Sequence, residues 1–111
     1  MTEYGKGMAI VVAGRLSREH VLLARPSVPD HVVYREFVSE TVVLNLETGT
    51  YHSLNPTGGT MLETLGASAT IQDAAVTLAD RYSRPLPEIE DDLYEFCLDL
   101  HDRGLVELAY D

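Results

Sequence analysis

The sequence predicts an α+β fold in which a three-stranded antiparallel sheet is followed by three helices, and two observations carry that prediction. From His31 to Asn55 the chain is rich in Val, Tyr, Phe, Thr and Leu, residues that suit a pleated, half-buried surface. After Asn55, apolar residues recur at three-four spacing between recognisable helix start and stop signals.

Val32 to Val38 reads as the first strand and Thr41 to Leu46 as the second, with Ser39-Glu40 as a two-residue link. Glu47-Thr48-Gly49 turns the chain again, Gly49 supplying the positive φ of a tight turn, and Thr50 to Leu54 is the third strand. A meander this small must cover one face to be stable in water.

The cover comes from the second half. Asn55 is a favoured cap and Pro56 a favoured first helical residue, so a helix runs from Pro56 to Leu65 and stops at Gly66. Gly58 and Gly59 weaken it, and close approach to a neighbouring element accounts for the pair. The second helix starts after Thr70 and presents Ile71, Ala74, Ala75, Leu78, Ala79 and Tyr82 on one face. The third opens at Pro87, with Glu88, Glu90, Asp91 and Asp92 near the positive end of its dipole, and closes at Arg103-Gly104. Its buried stripe is Ile89, Leu93, Phe96, Cys97 and Leu100, and Leu105, Val106 and Leu108 form a short extended tail. Sheet and helices in this order make an arrangement of winged-helix type.

The first 25 residues are read as an N-terminal arm separate from a domain at 26–111. Met8 to Ala13 and Val21 to Ala24 are both strand-like and can pair as a hairpin, or the arm is ordered only by contacts. The Met8 to Ala13 strand could also occupy a peptide groove or join a second copy of the chain as a homodimer.

A chain of 111 residues fits one domain with one core. Eighteen acidic residues against eight basic ones give a net charge of -10, which repels phosphate backbones and anionic lipid heads. Nucleic acid and membrane are therefore excluded as partners; a neutral or basic peptide is attracted, although solubility alone also explains the charge. Cys97 is the only cysteine, which rules out an intrachain disulfide and points to the cytoplasm. The apolar run after Lys6 is too short for a signal peptide or a membrane span.

No residue set points to catalysis, metal or a cofactor. Cys97 and His101 stand at i, i+4, but Cys97 lies on the apolar stripe, where a free thiol acts as a small hydrophobe. His20, His31 and His52 lack metal-ligand spacing, and Glu88 to Asp92 lacks the pattern of a calcium loop. Gly58-Gly59 opens a helix without the residues of a phosphate loop. What remains is a surface. Tyr94, Leu98 and His101 form a second, partly apolar stripe on the third helix, and an edge strand beside such a stripe accepts an extended peptide as an added strand. The same side chains could instead widen the core face.

The segment Val42-Val43-Leu44-Asn45-Leu46-Glu47-Thr48-Gly49-Thr50-Tyr51-His52-Ser53-Leu54-Asn55-Pro56-Thr57-Gly58 resembles the PqqD family. Ile71 to Tyr82 resembles that family's second helix, and Asp92 to Leu100 with Gly104-Leu105-Val106 resembles its closing pattern, so the likeness spans residues 26 to 108. The resemblance implies a winged-helix recognition element for ribosomally made, post-translationally modified peptides, without enzymatic activity of its own. It implies that a leader peptide adds beside Thr50, Tyr51, His52, Ser53 and Leu54, in a cleft walled by Tyr94, Leu98 and His101. A separate leader peptidase, cyclase or radical enzyme would then act on the bound precursor. The alternatives are an accessory protein of pyrroloquinoline quinone biosynthesis, a winged-helix regulator that binds DNA, which the acidic third helix disfavours, and a small enzyme built on Cys97.

Overall fold

The computed structural model describes residues 11–12 and 15–110. Its elements are β1 (Val11–Val12), β2 (Arg15–Leu16), α1 (Arg18–Leu22), β3 (Arg25–Ser27), β4 (Val32–Glu36), β5 (Thr41–Asn45), β6 (Thr50–Leu54), α2 (Pro56–Gly66), α3 (Ile71–Tyr82), α4 (Leu86–Asp102) and β7 (Glu107–Ala109). The predicted α+β class, with a three-stranded antiparallel sheet followed by three helices, is the one observed.

The sheet runs β4-β5-β6 with antiparallel register, so Val33, Leu44 and Tyr51 stand in one cross-strand row and Tyr34, Val43 and His52 in the next. The link between β4 and β5 is longer than Ser39-Glu40: the turn spans Phe37 to Glu40, closed by the Phe37 amide donating to the Glu40 carbonyl at 2.7 Å. The next turn is built by Asn45. Its buried side-chain oxygen accepts from the Glu47 and Thr48 amides at 2.9 and 3.4 Å, and Gly49 then takes φ +73°. Asparagine serves because its short amide mimics a backbone turn.

The inner face of the sheet is closed by α2. Asn55 caps that helix by accepting from the Gly58 amide at 2.7 Å. A β-carbon on Gly59 would lie only 2.9 Å from Thr41 Cβ, so glycine is required where the helix meets β5. One core cluster, with Val43, Leu62, Leu100, Leu105 and Val106, lies between sheet and helices; a second, with Leu65, Ile71, Leu78, Leu93 and Cys97, lies among the helices. The third-helix stripe is buried as expected except for Phe96, which is half-buried.

The N-terminal region differs from expectation. Val21 to Ala24 is not a strand: Ser17 caps α1, and Val21, Leu22 and Ala24 enter the helical core. The cause is the polar cap before them, since Ser17 accepts from the His20 amide and starts a helical turn. Arg18 donates to Glu90 at 2.7 Å and to Asp91 at 2.6 Å, and Gln72 donates to the other oxygen of Glu90, so one carboxylate joins α1, α3 and α4. β3 pairs with β7, giving the predicted C-terminal tail a partner. Residues 18–27 thus belong to the packed body. Of the strand expected over Met8 to Ala13, only Val11–Val12 is described, paired with Arg15–Leu16; its remaining residues lie outside the described ones.

Candidate peptide-binding site

β6 pairs with β5 alone among the described residues, so its other side is a sheet edge. Alternation along the strand sends Thr50, His52 and Leu54 toward the helices and Tyr51 and Ser53 to the outer face of the sheet. Beside the end of β6 lies an open groove of about 430 Å³. Ser53 and Leu54 form one side, the first turns of α2 contribute Thr57, Gly58 and Met61, and α4 contributes Asp92, Phe96 and Asp99. Gly58 keeps this junction narrow: a β-carbon there would come within 3.2 Å of Leu54 Cβ and 3.6 Å of the Phe96 ring.

The groove has a mixed lining, with Leu54, Met61 and Phe96 as its apolar side chains, Ser53, Asn55 and Thr57 as neutral polar ones, and an acidic lip. Leu54, Met61 and Phe96 are half-buried, whereas Asp92 and Asp99 stand exposed at the α4 side. Each carboxylate has a guanidinium: Arg84 meets Asp92 at 3.3 Å and Arg103 donates to Asp99 at 3.1 Å. Arg103 also reaches His52 Nδ1 at 3.2 Å and so ties the C-terminal end of α4 to the edge strand. With arginine donating, that imidazole nitrogen is the acceptor.

Thr50 to Leu54 occupy the edge, as the sequence suggested. Tyr94 and Leu98 do not wall the groove. At 3.6 residues per turn each sits about 160° around α4 from Phe96, and both pack against the cluster that contains Val21, Leu22 and Ala24. His101 is exposed on the same side. The residues of α4 that do line the groove are Asp92, Phe96 and Asp99, at i, i+4 and i+7, and Arg103 continues that row. Their spacing was visible, but Phe96 reads as core until the cover of the opposite flank is known.

Cys97, between the two flanks, is fully buried, and burial pushes its thiol up to about 12. A thiol held neutral in this way is a packing group. No cluster of three or more metal-ligating side chains occurs among the described residues, and no described helix is long and apolar enough to cross a membrane.

Residues 40–106 match the family model described as coenzyme PQQ synthesis protein D (PqqD), which is more than half of the chain. The chain belongs to the PqqD family. Among solved structures, it is similar to TbiB1 in complex with the TbiA(beta) leader peptide, at 30% identity and a TM-score of 0.67, over 73% of this chain and 94% of that one. It also shares its fold with a lasso peptide synthetase B1 complexed with the leader peptide, at 20% identity and a TM-score of 0.67, over 76% of this chain and 99% of that one. No curated protein sequence matches the chain. In this PqqD-family chain the matched segment runs from the end of the first sheet turn through Val106, and so contains β5, β6 and all of the groove-lining residues.

Proposed function

We propose that this chain binds the leader segment of a ribosomally made precursor peptide and presents it to a separate modifying enzyme or leader peptidase. The leader adds as a strand along β6, its alternate side chains entering the groove between β6, α2 and α4. Backbone hydrogen bonds supply affinity, and the spacing of Leu54, Met61 and Phe96 sets register. The observation that carries this reading is an open sheet edge directly beside a groove in which Leu54, Met61 and Phe96 stand among polar residues.

The partner enzyme meets the other face of the same sheet. Val33, Phe37 and Tyr51 are exposed there and Val42 and Leu44 half-buried, with Arg35 the only charged residue, among the described residues, around the shallow depression they form. An apolar patch on a chain of net charge -10 marks an interaction surface. An added strand would extend it, since every second leader side chain would emerge beside Tyr51 and Ser53. The enzyme therefore touches protein and leader together.

The chain itself contributes no catalytic group in this reading, and it acts in the cytoplasm. DNA binding is disfavoured because α4 carries seven carboxylates and neither Lys nor Arg. Calorimetric titration with the synthetic leader of the precursor encoded beside this gene tests the proposal, together with amide hydrogen exchange. Saturable binding with new protection of Thr50 to Leu54 is expected. Absence of binding to that leader, or binding that leaves the β6 amides unprotected, rejects strand addition.

A further inference from the structure

The groove does not end at Leu54. Thr57, Met61 and Asp92 line both the groove and a second, more enclosed cavity of about 130 Å³ between α2, α3 and α4. Its remaining lining is Leu78, Tyr82, Arg84 and Ile89. We propose, resting on the peptide-binding reading above, that this cavity selects among leaders by taking one branched-aliphatic or phenyl side chain. That side chain comes from the flank of the leader that leaves the β6 ladder past Leu54.

Size and chemistry both favour such an occupant. A dry protein cavity of roughly 150 Å³ lined by Leu, Ile and Phe accepts a benzene molecule, and this cavity is of the same order. Leu78 and Ile89 are buried and Met61 half-buried, so the depth offers thioether and hydrocarbon surface. Among the described lining residues charge is confined to Arg84 and Asp92, paired with each other at 3.3 Å, and Arg84 is further held by Glu88 at 3.1 Å. A charged side chain entering here would lose its hydration without a free partner, whereas an apolar one loses nothing.

Continuity with the groove identifies the occupant as part of the peptide. β6 leads directly into α2 through Asn55, so the cavity lies past the C-terminal end of the edge strand and opens where an added strand would run off the ladder. The site is distinct from the strand-pairing positions, because a side chain inside it belongs to a residue that makes no ladder bond with Thr50 to Leu54.

A double-mutant cycle tests this. The leader of the neighbouring precursor is scanned with alanine and titrated against the parent chain, Tyr82→Ala and Tyr82→Phe. Tyr82 is the last residue of α3 and partly exposed, so its truncation leaves the fold intact. One apolar leader position outside the paired segment should lose about tenfold in affinity on truncation, the order expected for one incompletely buried apolar side chain. Tyr82→Ala should weaken the native leader by a similar factor and leave that alanine leader unaffected, while Tyr82→Phe binds like the parent. A leader that binds with every outside position neutral, or with strictly additive losses, overturns the selectivity pocket and leaves strand addition standing. Failure of any leader to bind overturns both.

Discussion

The two flanks of α4 carry similar half-buried aromatic residues, Tyr94 on one and Phe96 on the other, yet only one of them faces the groove. α1 lies over the first flank, pinned by Arg18 to Glu90 and Asp91, and Tyr94 and Leu98 pack against the core cluster to which its Val21 and Leu22 belong. On the second, β6 and α2 approach Phe96 without closing over it, since Gly58 and the strand edge leave a groove. An apolar stripe on a helix therefore becomes a binding wall or a core face according to what covers it. Here a five-residue helix makes the difference.

The strongest way to break this contrast is to remove the cover. Deleting residues 1–25 takes away Val21, Leu22 and Ala24, all buried, and exposes the Tyr94 flank. Large-to-small changes at buried aliphatic sites cost about 2–5 kcal/mol each, and a small domain has about 5–15 kcal/mol in total. The truncated chain should lose its cooperative thermal transition, while deletion of residues 1–16, which spares α1, should keep one within a few degrees of the parent. A 26–111 fragment that melts like the full chain would show that α1 is dispensable and that the Tyr94 flank is free to bind.

Exchanging the aromatics themselves sharpens the comparison at a smaller scale. Phe96→Ala should weaken the leader by tenfold or more, as expected for a large apolar anchor in a binding cleft. Tyr94→Ala should leave the affinity within about twofold and lower stability by roughly 1–3 kcal/mol, as measured by chemical denaturation. If Tyr94→Ala costs more binding than Phe96→Ala, the groove has been placed on the wrong side of the helix.

Much of this architecture is legible in the sequence, and the reason lies in local signals. Asn55-Pro56, Thr70 and Gly104 mark helix ends by chemistry that needs no tertiary contact, and Gly49 marks a turn in the same way. The edge position of β6 also follows from the meander and the helix that succeeds it. The groove wall on α4 does not. Helical periodicity fixes which residues share a flank, but the flank that faces β6 depends on where α1 packs, and the apolar run Val21 to Ala24 fits strand and helix periods equally at four residues. Ser17 opens the helical turn locally, and the Arg18 pairings fix where that turn packs through residues 72 and 73 positions away, a distance that local pattern does not span.

Cys97, on the helix line between the two flanks, offers a pH test of how well both are sealed. Burial holds its folded-state pKa at about 12, above the ordinary value of about 8.5 in an unfolded chain. Between these values the unfolded state loses a proton that the folded state keeps, so stability is full below about pH 8.5 and falls as pH rises, by about 1.4 kcal/mol per unit. Denaturation midpoints of the parent should decline more steeply than those of Cys97→Ala over pH 9 to 10.5. Parallel slopes, or rapid alkylation of the native thiol at pH 8, would mean that one flank opens to solvent.

The smallest effect concerns the lip of the groove. Arg103 is about half exposed, with a side-chain relative accessibility of 50% against 56% for its partner Asp99, so the pair should contribute no more than about 1 kcal/mol and Arg103→Ala should melt close to the parent. Its consequence for binding has the opposite sign. Removing the guanidinium frees Asp99 beside the groove and releases His52 from the α4 tether. A leader carrying Lys or Arg near that point should then bind about two- to fivefold tighter at low salt, because an unpaired carboxylate attracts it, and the gain should vanish near 0.5 M salt as screening shortens the reach of the charge. On the Tyr94 flank the matching change, Arg18→Ala, removes the guanidinium from Glu90, which keeps its bond from Gln72, and from the exposed Asp91, yet leader affinity should not respond to salt there, because both carboxylates stand on the flank away from the groove. A salt-dependent gain in both variants would show that the two flanks are electrostatically equivalent to the ligand, and the groove would lose its claim to a side.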